Sequence, residues 1–296
     1  MSRFPRTAHD IRLAVTVAGA ALVSRVVPEP SWWPLTRALA WAVVLGRPGA
    51  GSLPVDAVVA REGGTSARRI AVERIASGTA SRLVGLRERS GAAPRYPVDV
   101  SGVAHLEHAL AGGRGAILWV GRFTWASLIS KVGLHRAGFA VTHLSRPEHG
   151  FGSSPFAVTR LNPIWISVED RFLRERVVMA PGGEVAALRA LRRRLDANGV
   201  VSISVGAQGA RAVPVPFAGG ELRLATGPMT LSVSSGAPLM PVFAGRDEGG
   251  RFRVAVEPPL DLRTDDSRTR WQEEAASAYA QRLEPWVHRW PGQWLG

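Results

Sequence analysis

The sequence predicts a three-layer α/β protein: a mainly parallel central sheet flanked by helices and preceded by an N-terminal helical region. Three observations predict it. Apolar runs of strand length occur at 116–120, 139–145, 200–205, 239–244 and 252–256. Segments with helical spacing alternate with them, as a parallel sheet built from crossover connections requires. Before residue 100 the helical spacing continues without such runs.

The elements follow in order. Arg3, Arg6 and Arg12 precede an uncharged stretch, 13–24, which ends at Arg25. A spanning helix needs about 18–20 apolar residues, so this stretch is too short. No small-x-small cleavage site follows before Pro28 and Pro30, so an interfacial or core-packed helix is predicted rather than a leader. A second apolar segment, 34–45, carries Trp41 and follows Trp32 and Trp33; tryptophans suit a membrane interface and a core equally. Breaks are predicted at 28–34 and 46–54. Segment 66–89 reads as one amphipathic helix or two, with Ile70, Val72, Ile75, Leu83 and Leu86 apolar and its arginine face solvated. Residues 1–95 thus form an amphipathic helical region, a candidate for membrane association, and 96–296 one compact α/β domain.

Gly112, Gly113 and Gly115 make the tight entry to the strand at 116–120. Val185, Leu188, Leu191 and Leu195 mark a helix over 183–198. Arg189, Arg192, Arg193 and Arg194 cover its other faces, and Asn198 and Gly199 stop it. A last helix over 267–290 ends before Pro291.

Composition narrows the chemistry. The 296 residues are 46% hydrophobic and 21% charged, as in a folded protein. With no cysteine, disulfides, thiolate metal sites and a cysteine nucleophile are excluded, and a reducing, cytoplasmic location fits. The net charge is +13, and Lys131 is the only lysine. Arginine recognises phosphate bidentately, so an anionic, phosphate-bearing ligand is expected. Genomic base composition accounts equally well for arginine in place of lysine, but less well for the net charge. Dinucleotide, Walker and nucleophile-elbow motifs are absent, and no cofactor is expected. His105 and His108 stand three apart without a third ligand, so no metal is expected either.

From residue 100 onward, five blocks carry a resemblance. The first is Gly-Ala-Ile-Leu-Trp-Val-Gly-Arg-Phe-Thr-Trp-Ala-Ser-Leu at 115–128, and the second ends in Ser145-Arg146-Pro147. The third joins 199–204 to the turn reached through Phe217. The fourth runs from Thr226-Gly227-Pro228 to Gly236-Ala237-Pro238-Leu239-Met240-Pro241, and the last is Pro291-Gly292-Gln293-Trp294. In this order they resemble the lipid A late acyltransferases of the lysophospholipid acyltransferase superfamily, and the related mycobacterial mannoside acyltransferases.

The resemblance implies a glycerolipid acyltransferase-like fold, a position peripheral to the inner face of the membrane, and an acyl donor borne by a carrier or coenzyme A; an aminoacyl-tRNA donor is the activated-ester variant that the arginine-rich charge would suit. In the family, the first strand ends in His-x-x-x-x-Asp/Glu, whose histidine serves as base toward an acceptor hydroxyl. Aligned without gaps, that histidine falls on Arg122 and the acid on Ser127. A shift by one gives Gly121 and Ala126. Arginine stays protonated and cannot be a base. The expectation is therefore an atypical acyltransferase on an amine or hydroxylamine, which needs no base. Arg122 then stabilises the oxyanion or clamps a donor phosphate, and Ser127 contacts the acceptor. A relocated base would be His143, or His149 with Glu148; a hydrogen-bonded strand histidine is the plainer reading of His143. Arg146, Arg160, Arg176, Gln208 and Phe217 are candidates for substrate binding. The competing readings are an aminoacyl-tRNA-dependent transferase, a membrane lipid O-acyltransferase with relocated base, and an inactive lipid- or partner-binding homologue.

Overall fold

The computed structural model describes residues 7–89, 96–206, 211–261 and 268–296. Arg3, Arg6, Gln208 and the first residue of the last predicted helix lie outside them.

Helix α1 (Ala8–Val26) starts at Thr7, whose hydroxyl accepts the Asp10 amide. A single turn over Glu29–Ser31 leads into α2 (Trp32–Gly46). Pro34 lies in the first turn of α2, where a missing amide proton costs nothing, so the predicted break shortens. After α3 (Asp56–Glu62), α4 (Ala67–Glu88) is one continuous helix, and α1 and α2 both pack on it.

The arginine face of α4 is not uniformly solvated, contrary to expectation. Arg68 and Arg69 are exposed, but Arg74 is buried. Its guanidinium meets both carboxylate oxygens of Asp56 at 2.7 Å and donates to the carbonyls of Gly51, Pro291 and Trp294. A buried charge persists only with such pairing.

The α/β part comprises β1 (Val98–Ser101), α5 (Val103–Ala111), β2 (Ala116–Val120), α6 (Ala126–Arg136), β3 (Val141–Ser145), α7 (Asn162–Glu169) and β4 (Glu175–Val178). It continues with α8 (Glu184–Asp196), β5 (Val200–Ser204), the hairpin β6–β7 (Ala212–Phe217, Gly220–Ala225), α9 (Gly227–Ser235), β8 (Leu239–Arg246), β9 (Phe252–Val256) and α10 (Arg268–Arg289). The seven-stranded sheet has the order β1-β9-β8-β2-β5-β3-β4. Five adjacent strands run parallel, while β8 meets β9 antiparallel, so the β9–β1 pair runs the other way. The predicted fold class is the observed one.

Each predicted strand is present, with β3 starting two residues later than expected. Phe139 N instead bonds Leu134 O to close the turn after α6, where Gly138 takes a φ of 88°. The unpredicted strands are β1, β4 and the hairpin. β1 and β4 are four-residue edge strands that mix charge with valine. β6 carries Pro214 and Pro216, which argue against a strand in sequence but here face outward. β2 is fully buried, and one hydrophobic core runs from Val17, Trp32 and Ile70 through the sheet to Trp290 and Trp294. The N-terminal helices therefore share a core with the sheet.

Candidate active site

In open α/β sheets ligands bind beyond the carboxyl ends of the strands. Here β2 leads into the loop 121–125 and β3 into a turn in which His149 N bonds Arg146 O. Between them lies a buried polar cluster. Ser202, His143 and Arg176 are register partners across β5, β3 and β4, so they share a sheet face. Above that row, α6 contributes Ser127 and Lys131, and α7 contributes Trp165 and Glu169. In both helices the two residues are four apart and so share a face.

Glu169 is the centre of the cluster, with no exposed side-chain surface. One carboxylate oxygen accepts from Trp165 Nε1 at 2.8 Å and from the Ser127 hydroxyl, and Lys131 Nζ lies 3.2 Å away. The other accepts from His149 Nε2 at 2.8 Å and Arg176 Nη2 at 2.7 Å. Burial alone would raise the Glu169 carboxyl. Lys131, His149 and Arg176 outweigh burial and hold it well below the usual carboxylate range. Burial lowers Lys131 from its ordinary range, against the pull of Glu169.

The two histidines differ. His143 is buried, its Nδ1 2.8 Å from Ser202 Oγ; burial, and next the Lys131 cation, push it well below the usual histidine range. It is neutral at neutral pH. His149 has 26% of its side chain exposed. An ionised carboxylate can only accept, so Nε2 carries the proton toward Glu169, and Nδ1 is the ring nitrogen left for another partner. Among the described residues Nδ1 has no hydrogen-bond partner. The rings lie 6.3 Å apart.

The sequence-predicted residues divide accordingly. Ser127, His143 and Arg176 come together here, while Arg122 stands exposed on the loop after β2 and Arg146 is exposed after β3. Arg160 is exposed on the turn Ala157–Leu161. Arg176 is spent on Glu169 and Asp170, both at 2.7 Å. Phe217 is buried in β6, its ring 5.3 Å from Trp294. His149 pairs with Glu169, while Glu148 is exposed.

Sequence reasoning missed Glu169. Two signals could have found it. Lys131 is the one lysine in an arginine-rich chain, and Ser127–Lys131 and Trp165–Glu169 repeat a four-residue spacing of hydrogen-bonding side chains.

Residues 90–295 match the family model of the bacterial lipid A biosynthesis acyltransferases, spanning the sheet, the cluster and the C-terminal helix. The chain belongs to that family. It is an acyltransferase, and its donor is an activated acyl group. No curated protein matches it.

Proposed function

We propose that this acyltransferase uses a base assembled outside the family's usual motif: His149, oriented by Glu169. Ser127 carries the reading. It stands where the motif's acid falls in an ungapped alignment, and its hydroxyl donates to the same carboxylate that accepts from His149. Carboxylate and imidazole are thus supplied from α7 and the β3–α7 connection to the start of α6.

In this reading the acceptor hydroxyl loses its proton to His149 Nδ1 as its oxygen attacks the donor carbonyl. The new ester C–O bond forms, the bond to the carrier sulfur or oxygen breaks, and the proton passes to that leaving group. Glu169, held ionised, steadies the imidazolium. Arg122, exposed beyond β2, stabilises the oxyanion or holds a donor phosphate. A positioned base favours a hydroxyl acceptor, such as the lipid hydroxyl implied by the family, over the amine favoured by Arg122 alone.

The N-terminal helices support a lipid setting. Ile11, Val15, Leu22 and Val26 on α1, with Leu35 and Leu39 on α2, leave apolar surface open to solvent. Arg12, Arg25 and Arg37 are exposed among them. No helix among the described residues is long and apolar enough to cross a membrane. Apolar side chains with flanking arginines suit peripheral contact with an anionic bilayer.

The test pairs acyl-carrier, acyl-coenzyme A and aminoacyl-tRNA donors with hydroxyl and amine acceptors, comparing wild type with His149→Gln and Arg122→Ala. Hydroxyl acylation that falls about 100-fold or more in His149→Gln supports the base. Equal turnover in His149→Gln rejects it, and amine acylation indifferent to His149 restores the base-free reading. A wild type that binds lipid yet turns over no pair is an inactive homologue.

A further inference from the structure

The last residues of the chain close on the loop that carries Arg122. After α10 the backbone turns through Pro291–Gln293 and meets the segment that follows β2. Phe123 and Trp294 form an isolated antiparallel bridge, and Leu295 N donates to Arg122 O at 2.9 Å. Gln293 O accepts from Thr124 N at 2.7 Å and from Thr124 Oγ1 at 3.1 Å.

Two side chains hold this tail in turn. Gln293 is buried, and its amide pairs with one residue at the end of β8: Oε1 accepts from Arg246 N at 2.8 Å, and Nε2 donates to Arg246 O at 2.7 Å. A side chain here does what a neighbouring strand would do. From the opposite side, Arg74 donates to Pro291 O at 2.9 Å and Trp294 O at 2.8 Å. The tail is therefore fixed to β8, to α4 and to the loop.

We propose that Gln293 is a positioning residue, and that the C-terminal segment is a clasp setting the backbone of Arg122, Phe123 and Thr124 for acyl transfer. The loop needs one. Trp125, at the start of α6, supplies no side-chain cap. Without the tail, Arg122 O and the two Thr124 donors lose the partners described above. The sheet does not depend on those bonds, because β2 is hydrogen-bonded on both sides by β5 and β8. What depends on them is where Arg122 points and how α6 presents Ser127 to Glu169. Misplacement by about 1 Å can cost a reaction roughly 100-fold.

The inference rests on the reading that Arg122 and His149 act in the reaction, and the experiment separates the two. Amide exchange and steady-state turnover are measured on the full chain for wild type, Gln293→Ala, Thr124→Val and Thr124→Ser. The clasp requires exchange across 121–126 to quicken by about tenfold or more in Gln293→Ala and Thr124→Val, with β2, β3 and β5 unchanged. It also requires kcat to fall about tenfold to 100-fold with little change in KM, while Thr124→Ser, which keeps the hydroxyl, behaves as wild type. Should Gln293→Ala fail to fold, the Thr124 pair decides alone. Unchanged exchange overturns the clasp, whatever the enzyme does. Faster exchange with unchanged kcat overturns its role in catalysis. Full turnover in both Arg122→Ala and His149→Gln rejects the reading of the site and the catalytic role of the clasp with it; exchange then still decides whether the tail holds the loop.

Discussion

His149 Nε2 lies 2.8 Å from Glu169 Oε2, twenty residues on in the chain, and the opposite oxygen of that carboxylate takes the Ser127 hydroxyl. Glu169 thereby links the start of α6, the turn after β3 and the end of α7. Its burial is sustained by two cations, Lys131 and Arg176, so the anion orients the histidine without itself being an unpaired buried charge. Each contact in this cluster can be broken separately, and the consequences differ.

Replacing His149 by glutamine should leave folding intact, because a quarter of its side chain already faces solvent. Turnover on a hydroxyl acceptor should fall by roughly 10²–10⁴, the range of a lost general base. Single-turnover rates alongside circular dichroism check both halves of this expectation.

Glu169→Gln should act on stability as well as on turnover. It strands Lys131 in the interior, a loss on the order of 3–5 kcal/mol for a broken buried pair. Adding Lys131→Met should return about 1 kcal/mol or more, because the two residues are in contact. Urea unfolding of the single and double variants measures the coupling; strictly additive losses would contradict it.

His143 gives the stability a pH dependence. Its folded-state proton affinity is far below that of the unfolded chain, so below about pH 6.5 the unfolded state binds the extra proton. Stability should therefore fall as pH drops from 7 to 5, by at most about 1.4 kcal/mol per unit from this group. Glu169 adds to the loss only further into acid, as pH falls below its unfolded value near 4.5 toward its depressed folded one. Urea midpoints across this range should show a shallower slope in His143→Asn.

Arg74→Ala should be among the most destabilising single changes in the N-terminal region. It leaves Asp56 buried without its cation and frees three carbonyls, a cost of about 3–5 kcal/mol. Arg68→Ala, on the exposed face of the same helix, loses only a stack over the Trp41 ring at 5.6 Å and should change stability by about 1 kcal/mol or less. Denaturant midpoints of the two variants give the comparison.

Several features of this chain follow from local spacing. The alternation of strands and helices after residue 100, the single-residue precision of β2 and β9, and the helical N-terminal region are written in runs of neighbouring residues, because periodicity is set over one or two turns. The order of the blocks, together with Gln293 and Trp294 at the end, carried the family resemblance. Arg122 and Ser127 drew attention in sequence because that resemblance marks their positions as the motif's.

Partnership across the chain was decided only in three dimensions. Nothing near Glu169 in sequence announces that it meets Ser127, His149 and Arg176, nor does Arg74 announce Asp56 and the C-terminal carbonyls. These contacts depend on the sheet order, which sets β3 and β4 side by side under α6 and α7. Local spacing determined which segments would become helices and strands; the burial of charge between them determined which residues had to meet, because a buried ion is tolerated only beside its partner.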